Sequence, residues 1–302
     1  MDVLSVSDYA ATRLRGDADG SVHSVFSSSL NVTLDGFLLH IGADDAPLSC
    51  LGCAVAAEGM SRLLERVEPG DRVHLRGGSL RVYSRPAVLE LALGAAPVRP
   101  MAVEPIEPVE PIASGALAGA DERLSRALGA CELAERTGLP WPDCAPALTS
   151  LARYSIACLC MRQGMEGEAL HRRYGAAVRA MRGAVDFLVG RGLGLTPSGD
   201  DVLQGFGTAL RFLYGGADAR GCRPFFDAVA AAVPGRTTAV AEAYLAAMVA
   251  GYANQDYLEL LAVLKAAAWD RLPACLERIL AVGHTSGADG LLGFGTAFGC
   301  LL

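Results

Sequence analysis

Two short stretches carry the residues best suited to chemistry. The first is Gly192-Leu193-Gly194-Leu195-Thr196-Pro197-Ser198-Gly199-Asp200-Asp201, running into Val202-Leu203-Gln204-Gly205-Phe206-Gly207-Thr208-Ala209. Its glycines, a Thr-Pro and a Ser-Gly interrupt regular structure before Asp200. Val202, Leu203, Phe206, Ala209, Leu210 and Leu213 then follow at helical spacing. A tight loop opening a helix is expected, with Ser198 or Asp200 as its N-cap. Such a helix start offers unpaired N–H groups and the positive end of the helix dipole to an anion. Asp200 and Asp201 add two carboxylates, able to hold Mg²⁺ beside a bound phosphate or to move a proton. A P-loop would need a Lys followed by Ser or Thr after its last Gly, and neither is present.

The second stretch repeats the first. Ser286-Gly287-Ala288-Asp289-Gly290-Leu291-Leu292-Gly293-Phe294-Gly295-Thr296-Ala297 matches Ser198–Ala209 without a gap, 88 positions on (286 − 198). Upstream, Gly283-His284-Thr285 echoes Gly194-Leu195-Thr196. One reading is two buried helix starts with shared packing needs, Phe206 and Phe294 in the core and Gly205 and Gly293 permitting close helix contact. The other is a pseudo-symmetric pair of loops facing one pocket, which the duplication favours.

Other polar residues invite weighing. In Pro234-Gly235-Arg236-Thr237-Thr238, Thr237 is a fair N-cap. Arg236, unfavourable to the dipole at a helix start, suits a carboxylate or phosphate held bidentately. His284 stands just ahead of the second Ser-Gly, where it could protonate a leaving group or equally cap the preceding helix. His23 could carry a proton or donate to a substrate carboxylate; a half-buried strand residue is the plainer alternative. Ser24 has no paired base in sequence. His40, His74 and His171 lack ligand spacing and read as structural. Nine scattered cysteines read as reduced and structural, with Cys50-Leu51-Gly52-Cys53 lacking the second pair that a zinc site needs.

The elements that must position these residues follow from length and pattern. At 302 residues and 52% hydrophobic content there is ample chain for two domains. A net charge of −7 argues against nucleic acid and anionic membrane surfaces, so an anion must be bound through local donors. The start lacks a signal-peptide pattern and no membrane span is evident, so a cytoplasmic protein is expected. Residues 1–96 read as β-rich, a small barrel or sandwich carrying one helix over Ala54–Val67. The expected strands are Ser21–Phe26, Leu30–Leu34, Phe37–Ile41, Arg72–Arg76, Leu80–Ser84 and Val88–Leu93, with an Asp35-Gly36 hairpin turn. Over 97–112, Glu-Pro recurs every three residues, as in an extended polyproline II spacer. Residues 113–302 read as an all-helical domain, making the fold class α+β. Its helices are expected at Asp121–Glu135, Ala147–Met161, Glu168–Val189, Asp200–Leu213, Pro224–Ala232, Thr237–Ala250, Tyr257–Ala268, Leu272–Val282 and Ala288–Leu301.

The two Gly-rich stretches together resemble the DUF2877 family, which includes the third subunit of bacterial oxamate carbamoyltransferase, from anaerobic allantoin breakdown. Val22-His23-Ser24-Val25-Phe26 with Leu30-Asn31 is similar to that family's N-terminal signature, and Arg236-Thr237-Thr238 to its middle one. The resemblance runs from about Gly20 to the C-terminus. It implies a subunit of a multi-protein carbamoyltransferase that exchanges a carbamoyl group between phosphate and a ureido acid such as oxalurate, giving oxamate and carbamoyl phosphate. On that reading the Gly194, Thr196, Ser198 and Gly199 loop supplies phosphate donors, and Arg236 with Thr237 clamps a carboxylate. Ser286, Gly287 and Asp289 line the second tip, where an oxyanion would be stabilised. Asp200 or Asp201 orients a nitrogen or holds Mg²⁺, His284 carries a proton, and His23 contacts substrate. The alternative is a non-catalytic scaffold or ligand-binding regulatory subunit.

Overall fold

The computed structural model describes residues 1–106, 120–140, 142–162, 167–215 and 221–300. The chain divides into two compact units, Met1–Ala102 with Tyr252–Gln255, and Val103–Gly251 with Asp256–Leu302.

In the first unit, alternating apolar residues build one curled sheet. Its strands are β1 (Val3–Ser7), β2 (Ala18–Val25), β3 (Ser29–Leu34), β4 (Phe37–Ala43), β5 (Gly52–Val55), β6 (Arg72–Arg76), β7 (Ser79–Tyr83), β8 (Val88–Ala92) and β9 (Val98–Arg99). They lie in the order β8-β7-β6-β2-β3-β4-β5-β1-β9. Every second residue faces inward, so Leu30, Val32, Leu34, Leu39, Ile41, Val73, Leu75, Leu80 and Val82 share one core. The sheet curls until Asp2 bridges Ala92 of β8, which makes a half-barrel. Helices α1 (Asp8–Arg13) and α2 (Ala57–Leu64) accompany it, and α2 packs Met60 and Leu63 into the same core. The helix expected from Ala54 begins only at Ala57, because Gly52–Val55 is wholly buried and pairs with both β1 and β4. The first two elements, β1 and α1, have no counterpart in the sequence reading. Five- and six-residue elements give too little periodicity to be recognised. The sheet also extends into the segment read as spacer, since β9 pairs in parallel with β1. The later Glu-Pro repeats, from Glu107 to Pro111, lie outside the described residues.

The second unit is helical: α3 (Ala120–Gly129), α4 (Leu133–Arg136), α5 (Ala145–Arg162), α6 (Glu168–Leu188), α7 (Ser198–Tyr214), α8 (Arg223–Ala232), α9 (Ala239–Ala250), α10 (Gln255–Lys265), α11 (Leu272–Leu280) and α12 (Ser286–Phe298). The single helix expected over Asp121–Glu135 is broken, with Glu132 in the left-handed region at φ 51° between α3 and α4. The end of the last expected helix, Leu301, lies outside the described residues. None of the described helices is long and apolar enough to cross a membrane.

The duplicated sequence forms α7 and α12, and their contact is a backbone-to-backbone one. A Cβ on Gly205 would lie 1.9 Å from the Gly290 carbonyl oxygen, and a Cβ on Gly293 would lie 1.9 Å from that of Val202. Under the 88-residue offset Gly205 corresponds to Gly293 and Val202 to Gly290, so the two contacts are one contact seen twice, around a local two-fold. The preceding helices repeat the relation. A Cβ on Gly199 would meet Leu188 O at the end of α6, and one on Gly287 would meet Ile279 O at the end of α11, each at 2.0 Å. Phe206 and Phe294 are fully buried.

Gly205→Ala and Gly293→Ala should therefore each destabilise the chain by about 3 kcal/mol, from overpacking against an immovable carbonyl. Gly183→Ala, in α6 with open space around it, should instead stabilise by about 0.5–1 kcal/mol. Urea unfolding of the three variants checks the contrast; equal effects would contradict it.

Candidate functional site

The close approach of α7 and α12 brings their N-terminal tips together, and the two loops bond across the symmetry axis. Thr196 Oγ1 lies 3.0 Å from Ser286 Oγ, and Ser198 Oγ makes a weaker 3.5 Å contact with Thr285 Oγ1. Thr196 and Ser198 belong to the first repeat, Thr285 and Ser286 to the second. A third segment closes in, for a Cβ on Gly138 would lie 2.2 Å from Ser198 Oγ.

Behind these hydroxyls stand Asp201 and Asp289, equivalent residues of the two repeats. Asp201 is 7% exposed and Asp289 is 0% exposed. Asp289 Oδ1 accepts from Thr137 Oγ1 at 2.5 Å and from the Gly138 N–H at 3.0 Å. The Oδ2 atoms of Asp201 and Asp289 are both buried without a hydrogen-bond partner among the described residues. Burial raises the Asp201 carboxyl well above the usual carboxylate range. The Ser286 hydroxyl works against that rise, the Asp289 charge adds to it, and smaller effects come from Thr196 and Asp200. Tyr257 of α10 faces the same place: a Cβ on Gly290 would lie 2.1 Å from its hydroxyl oxygen. Burial, with the charges of Asp256, Asp201 and Asp289, holds that hydroxyl protonated.

Asp200 has a different situation. Its Oδ1 accepts from the Gly190 N–H at 2.9 Å and its Oδ2 accepts from Thr237 Oγ1, so both oxygens tie the loop before α7 to the start of α9. Burial raises its carboxyl too, opposed by those two donors. Asp200 thus has both carboxyl oxygens bonded, whereas Asp201 keeps Oδ2 without a partner among the described residues. Among the described residues no three His, Cys, Asp or Glu side chains gather as a metal site.

Several expectations at the tips are corrected. The N-cap of α7 is Pro197, with Ser198 as the first helical residue and its hydroxyl turned to Thr285. The first-turn N–H groups are not free: Gly199 donates to Arg191 O at 2.8 Å, and Asp200 and Asp201 donate to Pro197 O at 2.9 and 3.2 Å. In the second repeat Gly287 N–H donates to Val282 O and Asp289 N–H to Thr285 O. Unbonded N–H groups lie one step earlier, at Gly192–Thr196 and at Gly283–Ser286, among the described residues. The Thr238 hydroxyl, not that of Thr237, caps α9 by accepting from Ala241 N–H at 3.1 Å, because Thr237 is spent on Asp200. Arg236 turns its guanidinium to Asp186, with 3.0 Å to Oδ1 and 2.8 Å to the carbonyl. Both line an open cleft of about 330 Å³ with Arg182, Asp227 and Pro234.

Of the other candidates, Gly194 is exposed at φ 93° and His284 is exposed on the second loop. His23 belongs to the first unit. His40 and His74, read as isolated, have partners: His40 Nδ1 lies 2.9 Å from Asn31 Oδ1, and His74 Nδ1 bonds Asp19 Oδ1. Thr137, Gly138 and Tyr257 escaped the sequence reading, which gave Thr285 only as the echo of Thr196. Arg136-Thr137-Gly138 carried only a weak turn signal, and Tyr257 gave none.

Comparison with known families now becomes decisive for the frame of this geometry. Residues 188–298, which span the end of α6 through α12, match the oxamate carbamoyltransferase subunit AllH family. Residues 2–98 match the AllH family N-terminal domain. The chain belongs to the AllH family. The two matched segments cover the half-barrel and both duplicated helices, and no solved structure matches the chain.

Asp201 makes a pH prediction whose sign can be worked out. Its folded pKa is raised above the unfolded value near 3.9, so its contribution to stability is present below about pH 4 and lost as pH rises through the folded pKa. Asp201→Asn should remove that loss, giving a chain with a higher melting temperature than the parent at pH 7 and a smaller gap at pH 4. Thermal scans at the two pH values test it; a variant less stable at pH 7 would contradict it. Thr237→Val should cost about 1.5–3 kcal/mol at pH 7 by stripping a donor from buried Asp200.

Proposed function

We propose that the converged tips of α7 and α12 are a chemical site of oxamate carbamoyltransferase, and that this subunit takes a direct part in carbamoyl transfer between phosphate and a ureido acid such as oxalurate. The observation that carries this reading is the buried Asp201–Asp289 pair with two orphan carboxyl oxygens. A structural core has no need of that arrangement, and its cost implies a use.

The reaction needs an acid, an oxyanion stabiliser and an anion seat. A phosphate oxygen attacks the carbamoyl carbon; the new O–C bond forms as the C–N bond to the oxamate nitrogen breaks. That nitrogen must take up a proton as it leaves. Asp201, whose protonated form burial favours, is suited to give it, and the proton lost by phosphate restores the acid. Thr196 and Ser286 hydroxyls, bonded to each other across the axis, would stabilise the charge developing at the carbamoyl oxygen. The unbonded N–H groups of Gly192–Thr196 and Gly283–Ser286, with His284, would seat phosphate. Ser198, Gly199, Gly287 and Asp289 shape the floor. Asp200 acts as a brace on Gly190 and Thr237. Mg²⁺, if used, would be held between Asp201 and Asp289 more readily than between Asp200 and Asp201, since Asp201 and Asp289 each keep an unpartnered Oδ2 whereas both Asp200 oxygens are bonded.

The test is carbamoyl transfer by the complex reconstituted with the other subunits, scored for oxamate and carbamoyl phosphate formation. Asp201→Asn should lower kcat by about 10²–10⁴-fold while the complex still assembles. Thr196→Ala and Ser286→Ala should each lower kcat by about 10-fold or more. Full turnover by Asp201→Asn in an intact complex would leave the scaffold reading instead.

A further inference from the structure

The first unit holds a polar row that the reaction above does not use. Ser24, Asn31 and His40 oppose one another across β2, β3 and β4, on the face away from the core residues Leu30, Val32, Leu39 and Ile41. The register of β2 slips between Val22 and Ser24, a bulge that brings His23 to the same side. Its Nδ1 lies 3.2 Å from Ser24 Oγ. Asn31 Nδ2 donates to Ser24 Oγ at 3.0 Å, and Asn31 Oδ1 lies 2.9 Å from His40 Nδ1.

The donor and acceptor types orient His40. Asn31 Oδ1 can only accept, so His40 Nδ1 carries the proton and His40 Nε2 keeps its lone pair. Ser24 Oγ accepts from Asn31, and its contact with His23 Nδ1 fits either tautomer of that ring. His40 Nε2 makes no hydrogen bond among the described residues, and the residue as a whole is half-buried. A Cβ on Gly42, the next residue on that face of β4, would lie 3.2 Å from Nε2, so the glycine keeps the nitrogen uncrowded. Burial lowers the His40 pKa to about 4, and the ring is neutral at physiological pH.

We propose that this row is a second ligand site, in which His40 Nε2 accepts a hydrogen bond from the N–H of an amide or ureido ligand and Asn31 is its positioning residue. The choice of ligand class rests on the carbamoyl-transfer reading; the acceptor character of Nε2 does not. Neutral imidazole with its other nitrogen pinned to an amide oxygen offers a directed lone pair, and an uncharged N–H donor complements it.

The experiment uses the full chain with ¹⁵N-labelled histidine, whose ring nitrogens report protonation by chemical shift. Free protein should show His40 protonated at Nδ1. Oxamate, which bears an amide N–H₂, should shift His40 Nε2, whereas oxalate, which lacks one, should not. Gly42→Ala, by crowding Nε2, should weaken the oxamate response about tenfold and leave the tautomer unchanged. Asn31→Ala should abolish the tautomer preference. A proton found on Nε2 in the free chain, an equal response to oxalate, or an oxamate response indifferent to Gly42→Ala would overturn the site. If the reconstituted complex transfers no carbamoyl group yet oxamate still shifts Nε2, the transferase reading fails and this site stands. Turnover without any His40 response sinks the site alone.

Discussion

The second unit depends on one constraint: two helix backbones touching without side chains between them. Where Gly205 meets the Gly290 carbonyl and Gly293 meets that of Val202, any Cβ would push α7 and α12 apart. Separated helices would carry Thr196 away from Ser286 and Ser198 away from Thr285, since those bonds reach across the axis between them. They would also loosen the surroundings of Asp201 and Asp289. The glycines thus set the geometry of the tips from a turn or so further down the helices. Glycine in a helix interior costs about 1 kcal/mol against alanine, and here the close contact gives that cost a purpose.

The same packing that creates the tips makes them electrostatically uncomfortable. Two equivalent carboxyls are buried in one place, and each keeps one oxygen, Oδ2, without a hydrogen-bond partner among the described residues. Burial raises the Asp201 carboxyl and the Asp289 charge adds to that rise, a cost that stability alone would not select. Asp200 provides the contrast within the same turn. It is as sequestered as Asp201, yet both of its oxygens are bonded, and its work is to hold Gly190 and the start of α9 in place.

Much of this was legible in the amino-acid order, and the gaps have physical causes. The gapless repeat pointed to twin helix starts, and the Gly-rich stretches resembled the family to which the chain belongs. Long helices such as α6 and α7 were evident from apolar spacing, and the Asp35-Gly36 hairpin from its turn residues. What could not be read was who bonds whom. Pro197 and Thr238 displaced Ser198 and Thr237 as caps because tertiary partners, Thr285 and Asp200, claimed those hydroxyls. Arg236 went to Asp186, fifty positions away, and Thr137 reached Asp289 from 152 positions away. His40 looked isolated because its partner Asn31 lies on the neighbouring strand, nine positions distant. Pairings of that kind belong to topology, not to spacing.

The most direct measurement of the central claim is a crystal structure of the assembled carbamoyltransferase with oxamate and phosphate bound. The account predicts a ligand nitrogen or oxygen within hydrogen-bond distance of Asp201 Oδ2 and of the Thr196 or Ser286 hydroxyl. Both ligands seated elsewhere, with the tips of α7 and α12 closed on each other and untouched, would contradict it.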